Sequence, residues 1–396
     1  LALVLVAGAA GGYFAFRDSD TDAPGGAAGT NTLLDFEPIT DEPEEVWSWS
    51  TDDGVARAAA VKKNGDVVIA HTPTGGDTEL LVASDGDAEE RGTLEVDPEG
   101  FIGQLIDEDL LIAVGSGGEV EGFSLKDGES RFVLEDAHFE DDTEYGALVT
   151  SAGETMLMDS ETGEERWRVP NTDQTGVEVR DDVTYLVSDG ELRALDTETG
   201  EEDWTVETFA SGEGTLEAAE DMVVLSDGSS VKGFDPRSGE ELWSEDISNA
   251  MLDDLGLDTV VAVSTTTTTD DGGVEAIILR ADGEQGRVPI DTSSATTEQG
   301  VSITTVRIDG DYYAAVPATR TIYDTDGEEA GSLESGIVLP TSDGYYVRDS
   351  MEQVTYYDGP GGEEAWRFDV PEGHRLDGIG SRMLITGDGS EVTVFE

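Results

Sequence analysis

The chain is 396 residues long and carries 90 Asp+Glu against 21 Lys+Arg, a formal net charge of -69. So negative a surface repels phosphate backbones and anionic headgroups; this excludes nucleic-acid binding and favours cations or basic protein surfaces as partners. Hydrophobic residues still make up 37% of the chain, enough for a packed core, while the lack of cysteine excludes disulfides, thiolate metal sites and cysteine nucleophiles.

Residues 1–16 are uncharged and end in Tyr13, Phe14 and Phe16, just before Arg17 and Asp18. They read as the C-terminal part of a single transmembrane helix whose aromatic end lies at the membrane interface. A cleaved signal segment is the alternative, because residues 6–12 offer the small side chains that a signal peptidase accepts. Sixteen helical residues fall short of the roughly 30 Å hydrocarbon layer, so further residues are expected ahead of Leu1. Either reading places the acidic bulk on the extracytoplasmic side of the cell membrane. Residues 17–45, rich in Asp, Gly, Ala, Thr and Pro, form an acidic flexible linker. Asp18, Asp20 and Asp22 alternate as in a calcium loop, but the glycine turn and distal glutamate of such a loop do not follow, so no metal site is assigned.

Residues 46–396 alternate short apolar runs with Gly- and Asp-rich turns, a pattern that predicts an all-β domain. Four segments repeat: Asp159, Gly163 and Trp167; Asp196, Gly200 and Trp204; Asp235, Gly239 and Trp243; and Asp358, Gly362 and Trp366. In each, Asp precedes Gly by four residues and Trp follows it by four. Weaker copies occur at Ser84-Asp-Gly86 ahead of Leu94, at Asp127-Gly128 with Phe132 in the tryptophan place, at Asp282-Gly283 and at Asp326-Gly327. A period near 40 residues with four strands per unit predicts a β-propeller.

The chemistry of the repeat fits a hairpin between the third and fourth strands of a blade. The Asp carboxylate accepts backbone N–H bonds, Thr or Ser adds another, and Gly supplies the positive φ that closes the turn. Each tryptophan is expected to be buried against a neighbouring blade. Within one unit the strands are placed at residues 176–179, 183–187, 191–195 and 203–206. The strand around Trp47 and Trp49 is expected to pair with residues 391–395 and close the ring. Eight blades are expected, with seven or nine as alternatives. The threonine run 265–269 with the following acidic glycines is placed in an extended hairpin, a candidate contact loop.

The pattern Leu-x-Ala-Leu-Asp-x-x-Thr-Gly-Glu-x-x-Trp at 192–204 resembles the PQQ-like β-propeller repeat, named from quinoprotein alcohol dehydrogenases. In the enzymes, the resemblance implies a vicinal disulfide against the quinone, a calcium ion and a catalytic aspartate. The chain has no cysteine and four asparagines, Asn31, Asn64, Asn171 and Asn249, so that set cannot be assembled in its usual form. It is therefore read as similar to the non-enzymatic branch, which includes the outer-membrane assembly scaffold lipoprotein. No P-loop, His-Glu-x-x-His or Gly-x-Ser-x-Gly motif occurs, and acid pairs such as Glu164-Glu165 lie in the repeated turns. The expectation is a membrane-anchored scaffold that binds a protein or envelope component without catalysis, cofactor or metal. The alternative is the ligand-sensing ectodomain of a transmembrane receptor such as a serine/threonine kinase.

Overall fold

The computed structural model describes residues 38–396 apart from 63, 96–100, 107–108, 116–117, 172–174, 181, 209–214, 228, 248–249, 255–258, 269–273, 291–303, 310, 317–319, 335, 342, 350–352, 361–363, 372–373, 380–381 and 388. These residues form nine antiparallel sheets of four strands each, and no helix occurs among them. In chain order, blade 1 spans 55–93, blade 2 101–134, blade 3 137–170, blade 4 175–207, blade 5 215–245, blade 6 250–290, blade 7 304–332 and blade 8 337–369. Each is a meander in which consecutive strands pair.

Blade 9 is built from both ends of the described chain. Its strands His374–Ile379, Met383–Gly387 and Glu391–Phe395 are completed by Glu45–Ser50, which pairs antiparallel with Glu391–Phe395. The expected ring closure is therefore observed. The count of eight blades is corrected to nine: every weak copy of the turn, including the one at Asp326-Gly327, joins the outer strands of a complete sheet. In blade 7 those strands, Thr321–Asp324 and Glu329–Ser332, are only four residues each, yet they pair in full. The membrane-helix expectation for 1–16 and the linker 17–45 up to residue 37 lie outside the described residues.

Local chemistry explains the hairpins. Gly86, Gly128, Gly163, Gly200, Gly239, Gly283 and Gly327 all hold φ between 69 and 85°, the left-handed region that glycine enters without Cβ strain. The unit at 175–207 folds as Thr175–Arg180, Val183–Ser188, Glu191–Asp196 and Glu202–Glu207, close to the sequence expectation. Its second strand is buried along most of its length, as suits a sheet interior packed on both faces. The core lies between blades: Leu148, Leu157 and Trp167 of blade 3, for instance, pack with Val177, Leu186 and Leu195 of blade 4. In blade 6 the strand Thr259–Thr268, ten residues long, extends the hairpin as expected, with Thr268 still paired to Val274.

Candidate functional site: the turn, the tryptophan and the axial strands

The repeated turn binds itself together as its composition requires. Asp196 accepts from the N–H and hydroxyl of Thr199, Asp235 from the N–H groups of Arg237 and Ser238 and the Ser238 hydroxyl, and Asp159 from Thr162 and Arg166. The Thr199 hydroxyl and N–H hold the Asp196 carboxyl below its usual range, and the Ser238 hydroxyl does most of the same for Asp235. Burial works against ionisation of Asp159, but the Thr162 and Arg166 donors outweigh it.

A bulge then aims the aromatic ring. In blade 3 the outer pair registers Leu157 with Trp167 but Met158 with Glu165, skipping one residue. The same shift sets Trp204, Trp243 and Trp366. In blades 3, 4 and 5 the ring is thereby carried to the turn of the following blade. A Cβ on Gly200 would sit 2.6 Å from the Trp167 indole, and one on Gly239 would sit 2.6 Å from that of Trp204. The indole N–H completes the dock: Trp167 Nε1 donates to the Thr197 carbonyl at 2.8 Å and Trp204 Nε1 to the Pro236 carbonyl at 3.0 Å. Thr197 is itself fixed by its hydroxyl on Thr184 and its N–H on the Asp182 carbonyl.

Two docks depart from this plan. Trp366 of blade 8 meets no turn between the third and outer strands of blade 9, which are not consecutive in the chain, and donates instead to the Ile39 carbonyl at 2.7 Å, while Ile39 N–H donates to the Tyr346 hydroxyl. Trp243 of blade 5 faces the shorter turn of blade 6, where Gly283 N–H closes on Arg280, three residues back, rather than four as at Gly200. A Cβ on Gly283 would lie 3.7 Å from the Trp243 ring, and the buried Trp243 Nε1 has no acceptor among the described residues.

The sequence-predicted anchors are thus distributed one set per blade rather than gathered in one place. Asp358 is exposed and Trp366 buried, while Gly362 lies outside the described residues. The reading missed Trp47, which is buried and packs against Gly86 of blade 1 as the anchor of blade 9. It also missed Gly92, Gly286 and Gly331, which take the tryptophan register in blades 1, 6 and 7. At Gly92 and Gly286 the missing side chain lets the next blade's turn approach directly. Gly331 follows Gly327 by four residues, the tryptophan spacing, so that one was legible.

Carboxylates gather on the innermost strands of blades 3 to 5: Glu140, Asp141 and Asp142 on Ala137–Thr143, Glu178 on Thr175–Arg180, and Glu217 on Thr215–Ala218. Burial pushes the Asp141 carboxyl well above its usual range, with Asp142 and Glu140 adding to the shift. Burial also raises Glu140, against the Thr150 hydroxyl and His138. Among the described residues no three His, Cys, Asp or Glu are arranged to hold a metal ion. Asn171, an amide the quinone enzymes' chemistry could call on, is buried and donates to the Thr155 hydroxyl within blade 3. Among the described residues the donors do not fit a quinone with its calcium.

Fold and repeat together define a closed ring of nine four-stranded blades. Residues 151–320 match the family model described as outer membrane protein assembly factor BamB, and over that stretch the chain is similar to that family. Solved structures similar to it include BamB from Moraxella catarrhalis, with 16% identity over 90% of this chain and 100% of that one at a TM-score of 0.48. The computationally designed Ika8 protein aligns with 15% identity over 89% of this chain and 99% of its own at a TM-score of 0.49. A quinohemoprotein alcohol dehydrogenase from Pseudomonas putida HK5 aligns with 10% identity over 91% of this chain and 78% of its own at a TM-score of 0.43. No curated protein matches the chain.

Proposed function

We propose that this protein is a non-catalytic docking scaffold, held at a membrane by residues 1–16 with its ring on the extracytoplasmic side, that binds a protein presenting a basic surface. The observation that carries the reading is that the repeated residues are spent on the ring itself. The aspartates close turns, the glycines hold positive φ and the tryptophans dock neighbouring blades. What is left to meet a partner is the solvent face, and the chain's net charge of -69 selects for cationic surfaces. The match of residues 151–320 to an assembly factor supports the same reading.

Crosslinking the full-length protein in its own membranes, followed by purification and mass spectrometry, tests it. A stoichiometric protein partner with a basic face, released by raised salt, is the expected result. Bait alone, extended by a kinase domain ahead of Leu1, would make the ring a receptor ectodomain instead. Dye-linked oxidation on addition of PQQ and calcium would overturn the non-catalytic part.

A further inference from the structure

The closing blade carries a shallow pocket of about 160 Å³ lined by Glu45, Pro371, His374, Ile385, Glu391, Thr393 and Phe395. We propose that it receives one lysine or arginine side chain of the partner, an inference that rests on the scaffold reading above and gives that reading a location.

Strand register builds the pocket. Thr393 pairs with Ile385, Glu391 with Gly387, and Phe395 with Glu45, so alternate residues of Glu391–Phe395 share one face. Ile385 and Phe395 make an apolar floor, with Pro371 at the wall, and one carboxylate stands at each end of the row. Gly387 makes room for the His374 ring beside Glu391: a Cβ there would meet that ring at 2.6 Å and Glu391 Oε2 at 3.4 Å.

Size decides against a cofactor or drug-sized ligand, whose pockets run to roughly 300–1,000 Å³. An apolar floor between two acids matches the anatomy of one long cationic side chain, which lays its methylenes on apolar surface and keeps its charged head at a carboxylate. Elsewhere on the ring internal arginines supply the cation: Arg168 bridges Glu154 and Glu165, and Arg367 bridges Glu334 and Glu364. Among the described residues Glu45 and Glu391 make no ion pair, and the proposed side chain would supply one.

The test is fluorescence anisotropy of a labelled hexa-arginine peptide with the full chain at about 0.15 M ionic strength, where the long-range field is largely screened. Glu45→Gln with Glu391→Gln is expected to weaken binding at least about fivefold, the range of a single anchoring residue. Glu201→Gln with Glu240→Gln, which removes the same charge from exposed turns, is expected to change it less than about twofold. Equal weakening by the two pairs would leave only the general field and overturn the pocket. Free arginine or spermidine binding as tightly as the peptide would assign the pocket to a small amine and overturn a partner side chain. In the crosslinking experiment, undiminished partner recovery with the Glu45/Glu391 variant removes the pocket while the scaffold stands. Recovery of no partner by the unmodified protein removes the scaffold reading itself.

Discussion

The junctions on either side of blade 5 use the same side chain with different results. On the blade 4 side, Trp204 meets a five-residue turn from Asp235 to Gly239 and its N–H finds the Pro236 carbonyl. On the blade 6 side, Trp243 meets a turn one residue shorter, and its N–H is buried without an acceptor among the described residues. The ring shape survives both arrangements. Hydrophobic packing is thus enough to seat a blade, while the turn's extra residue adds the directional bond. An orphaned buried donor costs about 1–3 kcal/mol, which makes the blade 5–6 junction the weaker of the two.

That contrast can be broken by substitution. The largest expected effect is Trp167→Ala, at about 3–5 kcal/mol for a large aromatic removed from a well-packed site. Trp243→Ala, at a half-buried ring with no hydrogen bond to lose, is expected to cost clearly less in urea denaturation. Equal losses would erase the distinction between docks. Next comes Gly200→Val, which adds overpacking against Trp167 to the strain of a β-branched residue at positive φ and is expected to cost about 2–4 kcal/mol. Gly283→Val has the same φ problem but more room, and Glu201→Ala at the turn surface is expected to change the melting temperature little. Trp→Phe sharpens the comparison further: Trp167→Phe strands the Thr197 carbonyl and is expected to cost about 1–3 kcal/mol, whereas Trp243→Phe removes an unsatisfied donor and is expected to be near neutral.

The smallest effects separate turn acids from axial acids by pH. Asp196 ionises more readily in the folded chain than its unfolded value of about 3.9, so it contributes stability above that pH and loses it as pH falls through its lowered folded value. Asp196→Asn should therefore melt earlier at neutral pH, with the difference closing in acid. Asp141 is shifted the other way, so its ionisation opposes folding increasingly as pH rises above about 3.9 through its raised folded value. Asp141→Asn should gain on the parent protein over that rise. Parallel pH–melting curves for either variant and the parent would contradict the assigned direction.

Much of the ring was written in local chemistry, and this explains which parts could be read. Asp196, Thr199 and Gly200 make one turn from neighbouring residues, so their spacing alone foretold it. Trp47 pairs with Val394, and Ile39 meets Trp366 and Tyr346, all hundreds of residues away, and nothing around Ile39 marks its carbonyl as the acceptor for Trp366. Gly92 and Gly286 work through an absent side chain, and their spacing from the turn glycine differs from that of tryptophan. The blade count was misjudged because modules without tryptophan look incomplete as sequence, although backbone pairing and a positive-φ glycine suffice to make a sheet. The closing-blade pocket was not foreseen, since its residues come from four strands and a loop.

Completion of blade 9 by Glu45–Ser50 also sets an order of events in time. During synthesis this strand is made well before its partner Glu391–Phe395, and the Trp366–Ile39 bond joins residues 327 apart. Contacts so distant in sequence are slow to form, because the entropy of closing the loop must be overcome before any pairing repays it. Until then the nascent chain is an open arc with one sheet lacking its outermost member and a tryptophan-bearing strand without its mate. Final registration of that one strand is therefore the step at which production of the mature ring competes with intermolecular strand pairing.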